Sequence, residues 1–98
     1  MDLRSLTDEM HRFVEARGWY RPESPRPQTP RNLAASLAIE SAEVLELFQW
    51  TDDPSSEDKL AGELADVALY LLQLASVARI DLEAAVLAKL KANYDRTW

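Results

Sequence analysis

Two pairs of acidic residues stand inside helical rows of apolar side chains, and they constrain the fold more than any other feature of the chain. Glu40 with Glu43, and Glu63 with Asp66, have the i,i+3 spacing that puts two side chains on one helix face. Carboxylates at positions where leucine would be expected are unfavourable unless a cation compensates their charge. The two segments are therefore predicted to pack together around a divalent metal ion.

Capping and stop residues divide the first half of the chain into two helices. Asp2 can cap a first helix, and Gly18 is a natural place for that helix to end. Thr29 followed by Pro30 gives an N-cap and a favoured first residue for a second helix that runs to about Trp50. The repeated prolines between these helices remove backbone donors, so this stretch is predicted to be an extended loop.

The second half of the chain has the same organisation. Ser55 with Asp58 three residues later resembles a capping arrangement for a third helix, which is expected to run to about Arg79. Asp81 can cap a fourth helix from residue 82 to about residue 95. No segment has the pattern of a strand, so the predicted fold class is all-α, with the second and third helices as a central antiparallel hairpin.

Apolar side chains in each predicted helix recur every three or four residues and mark the face that is expected to be buried. These rows are Leu3, Leu6, Met10 and Phe13; Leu33, Leu37, Val44 and Leu47; Leu60, Leu64, Val67, Leu71 and Leu74; and Val86, Leu90 and Tyr94. A helical chain of 98 residues buries a limited core and gains from association. We therefore expect an oligomeric bundle, either a homodimer or a homotetramer.

Composition restricts the compartment and the partners. The chain has no cysteine and no stretch with the order of a signal peptide, so we expect one cytoplasmic domain over residues 1–98. The most apolar run, residues 64–78, is shorter than the ~20 residues of a membrane span and contains Asp66, which predicts a buried helix and no membrane. A net charge of −6 disfavours binding to a nucleic acid polymer.

The chemistry of the acidic pairs favours a hard cation. A short connection makes the second and third helices neighbours, so four carboxylates can converge. Such ligands suit Mg²⁺, with Mn²⁺ as a substitute, whereas the only histidine, His11, lies outside both motifs and disfavours a di-iron site. Taken alone, each pair is more often a solvated helix face, and the occurrence of two pairs on adjacent helices favours metal binding.

Four segments resemble the MazG-like all-α nucleoside triphosphate pyrophosphohydrolases. They are Pro-Arg-Asn-Leu at 30–33, Glu-Ser-Ala-Glu at 40–43, Leu-Phe-Gln-Trp at 47–50 and Gly-Glu-Leu-Ala-Asp-Val at 62–67. Further positions make the chain most similar to the dCTP pyrophosphatase-like branch: Arg12, Phe13, Trp19, residues 66–70, Asp81, Leu82, Lys89 and Asn93. The resemblance covers nearly the whole chain and implies a four-helix MazG-like fold.

This resemblance implies hydrolysis of a nucleoside triphosphate between its α and β phosphates, giving the monophosphate and pyrophosphate. Mg²⁺ would be held by Glu40, Glu43, Glu63 and Asp66, which would also be the catalytic residues, with either Glu40 or Glu43 as general base. The expected substrate is dCTP or a modified dCTP, and the expected role is cleaning of the nucleotide pool. A dUTP-type or broad-spectrum pyrophosphohydrolase, or a non-catalytic helical oligomerisation or regulatory module, remains the alternative.

The same resemblance implies the nucleotide contacts. Trp19 and Trp50 would flank the base, Tyr70 would line the pocket, and Lys89 with Asn93 would reach the nucleotide. Taken one at a time, these residues also have structural interpretations: core positions for Trp50 and Tyr70, a loop anchor for Trp19 and a solvated side chain for Lys89.

The chain departs from the family pattern at a few positions. Ile39 stands where many members carry a further glutamate. Glu46, one turn beyond Glu43, could assist at the metal but is interpreted as a member of a surface ion pair. The branch places a histidine where this chain has Met10, and His11 is displaced by one residue, or ~100° of helix rotation. We therefore expect His11 to be a surface residue. The loop before Pro30 is long and proline-rich, which we expect to alter how Trp19 meets the base.

Overall fold

The computed structural model describes residues 1–54 and 56–98, and within these ranges the chain forms four α-helices and no strand. The helices are α1 (Leu3–Ala16), α2 (Pro30–Glu46), α3 (Glu57–Val77) and α4 (Leu82–Tyr94). The predicted all-α class is confirmed.

A capping side chain precedes every helix. Asp2, Thr29 and Asp81 each accept a hydrogen bond from the backbone N–H three residues later, as predicted, with distances of 2.8, 3.2 and 3.0 Å. Ser55, the predicted cap of α3, lies outside the described residues. Ser56 performs this role, because its hydroxyl accepts from the backbone N–H of Lys59.

The helix ends agree with the sequence except in α2. This helix stops at Glu46, four residues before the predicted end at Trp50. Beyond it the backbone tightens into turns, in which Phe48 N–H donates to the Leu45 carbonyl at 2.9 Å and Gln49 N–H to the Glu46 carbonyl at 3.3 Å. These three-residue bonds replace the α-helical pattern and redirect the chain towards α3.

Helix α3 is the centre of the fold. Its most extensive contacts are with α2, with which it forms the central antiparallel hairpin, and α1 packs against it with a smaller contact. Among the described segments, α3 is also the only helix whose length and composition would allow it to cross a membrane, a property that core helices share. Here it carries Glu63 and Asp66 and packs against α1 and α2, while most of its apolar window is not buried in the single chain.

The buried core is small and only partly follows the predicted rows. The buried apolar side chains are Met10, Val14, Leu33, Leu72 and Ala75. Phe13 and Leu64, each predicted to be buried, are 51% exposed. In α1 the buried face runs through Met10 and Val14, so the helix is rotated relative to the predicted row. The predicted row on α4 is also exposed, because this helix has few contacts with the rest of the chain.

His11 is not a surface residue, which corrects the prediction. It is half-buried, with Nδ1 2.6 Å from the Tyr20 hydroxyl and Nε2 2.7 Å from the Ser76 hydroxyl. The one-residue displacement from Met10 turns the imidazole towards α3 and towards the loop after α1, where polar partners are available. His11 therefore ties α1 to both of these segments.

Candidate active site

Three glutamates meet where α2 packs on α3. Glu40 and Glu43 lie one turn apart on α2, Glu63 faces them from α3, and one carboxylate oxygen from each lies within 4.8 Å of the others. All three side chains are half-buried. The hairpin thus brings three of the four predicted ligands together, and we refer to these three residues as the acidic group.

Burial and mutual repulsion change the ionisation of this group. Burial raises the pKa of Glu40 to about 7, and contact with Glu43 together with the negative charges of Asp66 and Glu63 acts in the same direction. Burial also raises the pKa of Glu63, again with contributions from Glu43 and Asp66. Glu40 and Glu63 therefore hold their protons to higher pH than isolated carboxyl groups do, unless a cation compensates the charge.

Two oxygens of the acidic group have no internal partner. Glu40 Oε2 and Glu63 Oε2 are the only buried side-chain polar atoms in the described part of the chain without a hydrogen bond. A buried carboxylate oxygen is costly unless a proton or a cation satisfies it. Oxygen ligands without histidine or cysteine suit Mg²⁺ or Mn²⁺. The residues present therefore fit a divalent cation.

Asp66 lies beside the acidic group but is not one of its three members. Asp66 is one of the residues that line a neighbouring cavity, while its charge raises the pKa of both Glu40 and Glu63. Because Asp66 follows Glu63 by one helical turn, α3 joins the acidic group to this cavity.

An open cavity of about 300 Å³ lies between α1, α3 and the loop after α1. Apolar side chains form most of its wall, with Phe13, Trp19 and Tyr70 as its aromatic members. The Trp19 ring meets the Phe13 ring edge-on, with 5.7 Å between the centroids. We call this space the aromatic cavity; its mostly apolar wall with aromatic side chains suits a flat, partly polar ring.

Trp19 also borders a second cavity of about 230 Å³ that the proline-rich loop forms with the start of α2. The guanidinium of Arg26 lies 5.4 Å from the Trp19 ring centroid, a cation–π contact that holds the loop against the indole. Gln28 and Tyr70 line this cavity as well. The loop therefore holds Trp19, which is part of the wall of the aromatic cavity, in position.

The remaining predicted nucleotide contacts lie elsewhere in this chain. Trp50 follows the end of α2 and is 89% exposed. Lys89 is exposed and Asn93 is half-buried on α4. None of the three lines the aromatic cavity or the second cavity, which the proline-rich loop forms with the start of α2. Their roles therefore stay predictions.

Gln73 is the residue that sequence reasoning missed. It is 3% exposed, it is the only buried polar residue among those described, and it lines the aromatic cavity. A glutamine within the most apolar helix was the available signal, because a polar side chain in such a helix needs internal partners. Those partners lie in the loop, whose conformation could not be read from its prolines.

The sequence matches the family model described as the MazG nucleotide pyrophosphohydrolase domain over residues 28–97. Among curated proteins, dCTP pyrophosphatase 1 of Homo sapiens is 38% identical over 104 residues, which cover 97% of this chain and 56% of the human protein. The Bos taurus protein of that name is 36% identical and is covered over 57% of its length. The chain thus spans a little over half the length of these relatives.

A solved structure supports the same grouping. A pyrophosphatase from Archaeoglobus fulgidus superposes with a TM-score of 0.75 at 39% sequence identity. The match covers 92% of this chain and 86% of the archaeal one. The arrangement of helices around the acidic group is therefore shared with a pyrophosphatase.

Proposed function

The chain belongs to the MazG nucleotide pyrophosphohydrolase family, and from this premise we propose that it hydrolyses nucleoside triphosphates to the monophosphate and pyrophosphate, with dCTP or a modified dCTP as the preferred substrate. The observation that carries the proposal is the acidic group, whose buried and unsatisfied oxygens stand beside an aromatic cavity. The acidic group suits a metal ion that binds phosphates, and the aromatic cavity suits a nucleobase.

In this proposal, Glu40, Glu43, Glu63 and Asp66 hold Mg²⁺, with Mn²⁺ as a substitute. A divalent ion bound there neutralises phosphate charge and lowers the pKa of an attacking water. The chain itself supplies the oxygen ligands and a general base, for which Glu40 and Glu43 are the candidates. No protein nucleophile is required.

The base would lie in the aromatic cavity against Trp19 and Tyr70. Stacking on aromatic rings contributes ~1–3 kcal/mol per base and depends little on base identity. We propose that Trp50, Lys89 and Asn93 complete the nucleotide contacts in a homodimer or homotetramer, because in a single chain they lie away from the cavity. We further propose that residues 1–98 form a single cytoplasmic domain that cleans the nucleotide pool. Neither a nucleic acid polymer nor a membrane is a partner in this proposal.

The test is incubation of the purified protein with Mg²⁺ and a panel of nucleoside triphosphates, followed by separate assays for pyrophosphate and orthophosphate. We expect pyrophosphate release, fastest with a cytosine nucleotide, and at least a hundredfold loss of kcat in Glu63→Ala, about the effect of removing one catalytic group. Glu83→Ala, which removes an exposed carboxylate on α4, is the matched control.

Other outcomes of the panel separate the alternatives. Faster turnover of dUTP, or equal turnover of all nucleotides, would indicate a dUTP-type or broad-spectrum enzyme. Orthophosphate release, or unchanged turnover in Glu63→Ala, would contradict the mechanism. If neither Mg²⁺ nor a nonhydrolysable nucleotide raises the melting temperature, the chain is better described as a non-catalytic oligomerisation or regulatory module.

A further inference from the structure

The polar contacts of Gln73 give its amide one orientation. The side chain is 3% exposed and lines the aromatic cavity, so its two amide hydrogens and its oxygen need hydrogen-bond partners from the fold or from a ligand. Its Nε2 lies 2.7 Å from Gln28 Oε1 and 3.3 Å from the Tyr20 hydroxyl. Both partners belong to the loop after α1.

A backbone carbonyl fixes the direction of these bonds. The Arg26 carbonyl can only accept, so Gln28 directs its Nε2 towards it, at 2.6 Å. Gln28 must then turn its Oε1 towards Gln73, and Gln73 must present Nε2 to that oxygen. The Tyr20 hydroxyl accepts a hydrogen bond from Gln73 Nε2, so its own O–H can donate to Nδ1 of His11. The loop thus determines which end of the Gln73 amide points towards it.

The oxygen of Gln73 is left for the cavity. Among the described residues no donor bonds Gln73 Oε1, and this atom is not one of the two buried oxygens that are closed off without a partner. It is therefore accessible, and the aromatic cavity is the space that Gln73 lines. A carbonyl oxygen in a mostly apolar wall discriminates strongly between ligands, because a ligand must supply a hydrogen-bond donor to it or leave it unpaired.

We propose that Gln73 determines base specificity by accepting a hydrogen bond from an exocyclic amino group of the nucleobase. This inference rests on the proposed function, since it places the base in the aromatic cavity. Cytosine carries an amino donor where uracil and thymine carry a carbonyl oxygen, which would oppose Gln73 Oε1 with a second acceptor. Tyr20 and Gln28 act as positioning residues that prevent the amide from reversing.

The experiment compares binding of nonhydrolysable analogues of dCTP and dUTP, alongside kcat and KM for the natural nucleotides. In Gln73→Met, which keeps the size and removes the acceptor, we expect the preference for dCTP to fall about tenfold. The change should appear in KM and in analogue affinity for dCTP, with kcat for dUTP little altered. Gln49→Met, the same substitution at an exposed position in the turns after α2, should retain the preference.

A second variant covers the case in which Gln73→Met does not fold. Gln28→Leu leaves Gln73 in place and removes the acceptor that orients it, so the preference for dCTP should fall by several-fold while the helical circular dichroism spectrum is kept. If the protein hydrolyses nucleotides and both variants retain the full preference, this inference is wrong and the proposed function stands. If no analogue binds the wild-type protein, both are wrong.

Discussion

At the scale of single residues, proximity decides the behaviour of the acidic group. One glutamate on a helix surface is an ordinary solvated carboxylate. Three whose oxygens lie within 4.8 Å of one another, two of them with a buried and unpaired oxygen, destabilise the fold whenever all are ionised. The same arrangement attracts a divalent cation, so what costs stability in the metal-free protein would provide binding energy for the metal.

The raised pKa of Glu40 predicts how stability depends on pH. Since its pKa is about 7 in the folded chain against 4.5 ordinarily, the folded state binds more protons than the unfolded state between these values. This contribution to stability is fully present below pH 4.5 and is lost as the pH rises through 7. With EDTA present, the free energy of unfolding from urea titrations should therefore fall from pH 5 to pH 8.

Two comparisons check the origin of this effect. Glu40→Gln should show a smaller fall, because its amide does not titrate, and Glu83→Gln on α4 should behave as the wild type. Added Mg²⁺ should stabilise the protein more at pH 8 than at pH 5, where protons compete for the same oxygens. A free energy of unfolding that does not change with pH in EDTA would contradict the raised pKa.

At the scale of elements, the chain's two glycines have opposite roles. Gly18 ends α1 with φ at +73°, a conformation that side chains bearing a Cβ rarely adopt. Gly62 lies within α3, and a Cβ added there would meet no atom within 4 Å. One glycine is thus required by the backbone, while the other only weakens a helix.

We predict opposite effects for alanine at the two positions. Gly18→Ala should lower the free energy of unfolding by about 1 kcal/mol or more, because alanine is strained in the left-handed region. Gly62→Ala should raise it by about 1 kcal/mol through helix propensity. Urea titrations of the two variants form a matched pair, and destabilisation by Gly62→Ala would show that another surface covers this position.

At the scale of the whole molecule, the apolar surface left exposed is large. Helix α4 has no buried residue; Val86, Leu87 and Leu90 are 47%, 60% and 50% exposed. On α2, Ile39 is 60% exposed. Exposed apolar side chains of this kind are typical of an interface between copies of a chain, which supports the proposed homodimer or homotetramer.

A charge on α4 should disrupt this assembly. We expect wild-type protein to elute as a dimer or tetramer in size-exclusion chromatography with light scattering, and Leu90→Glu to shift it towards monomer, since it would bury an unpaired carboxylate. Ala88→Glu adds the same charge about 160° away around the helix and is the control. Monomeric wild-type protein would contradict the proposed oligomer.

Local chemistry explains how much of the fold the sequence determined by itself. Capping by Asp2, Thr29 and Asp81, the stop at Gly18 and the apolar periodicity all act within a few residues, so four helices could be predicted with nearly correct ends. The i,i+3 acidic pairs were equally readable, because helix geometry alone places their members on one face.

Only the tertiary structure decided which side chains meet. It brought the three glutamates of the acidic group together with Asp66 beside them, turned His11 inward and left the α4 row uncovered. It also placed Gln73 against the loop after α1, which no periodic pattern could indicate. These contacts depend on helix rotation and on the path of a proline-rich loop, both of which arise from packing between distant segments. The acidic pairs thus predicted where carboxylates meet, and the packing around Gln73 decided which side chains line the neighbouring cavity.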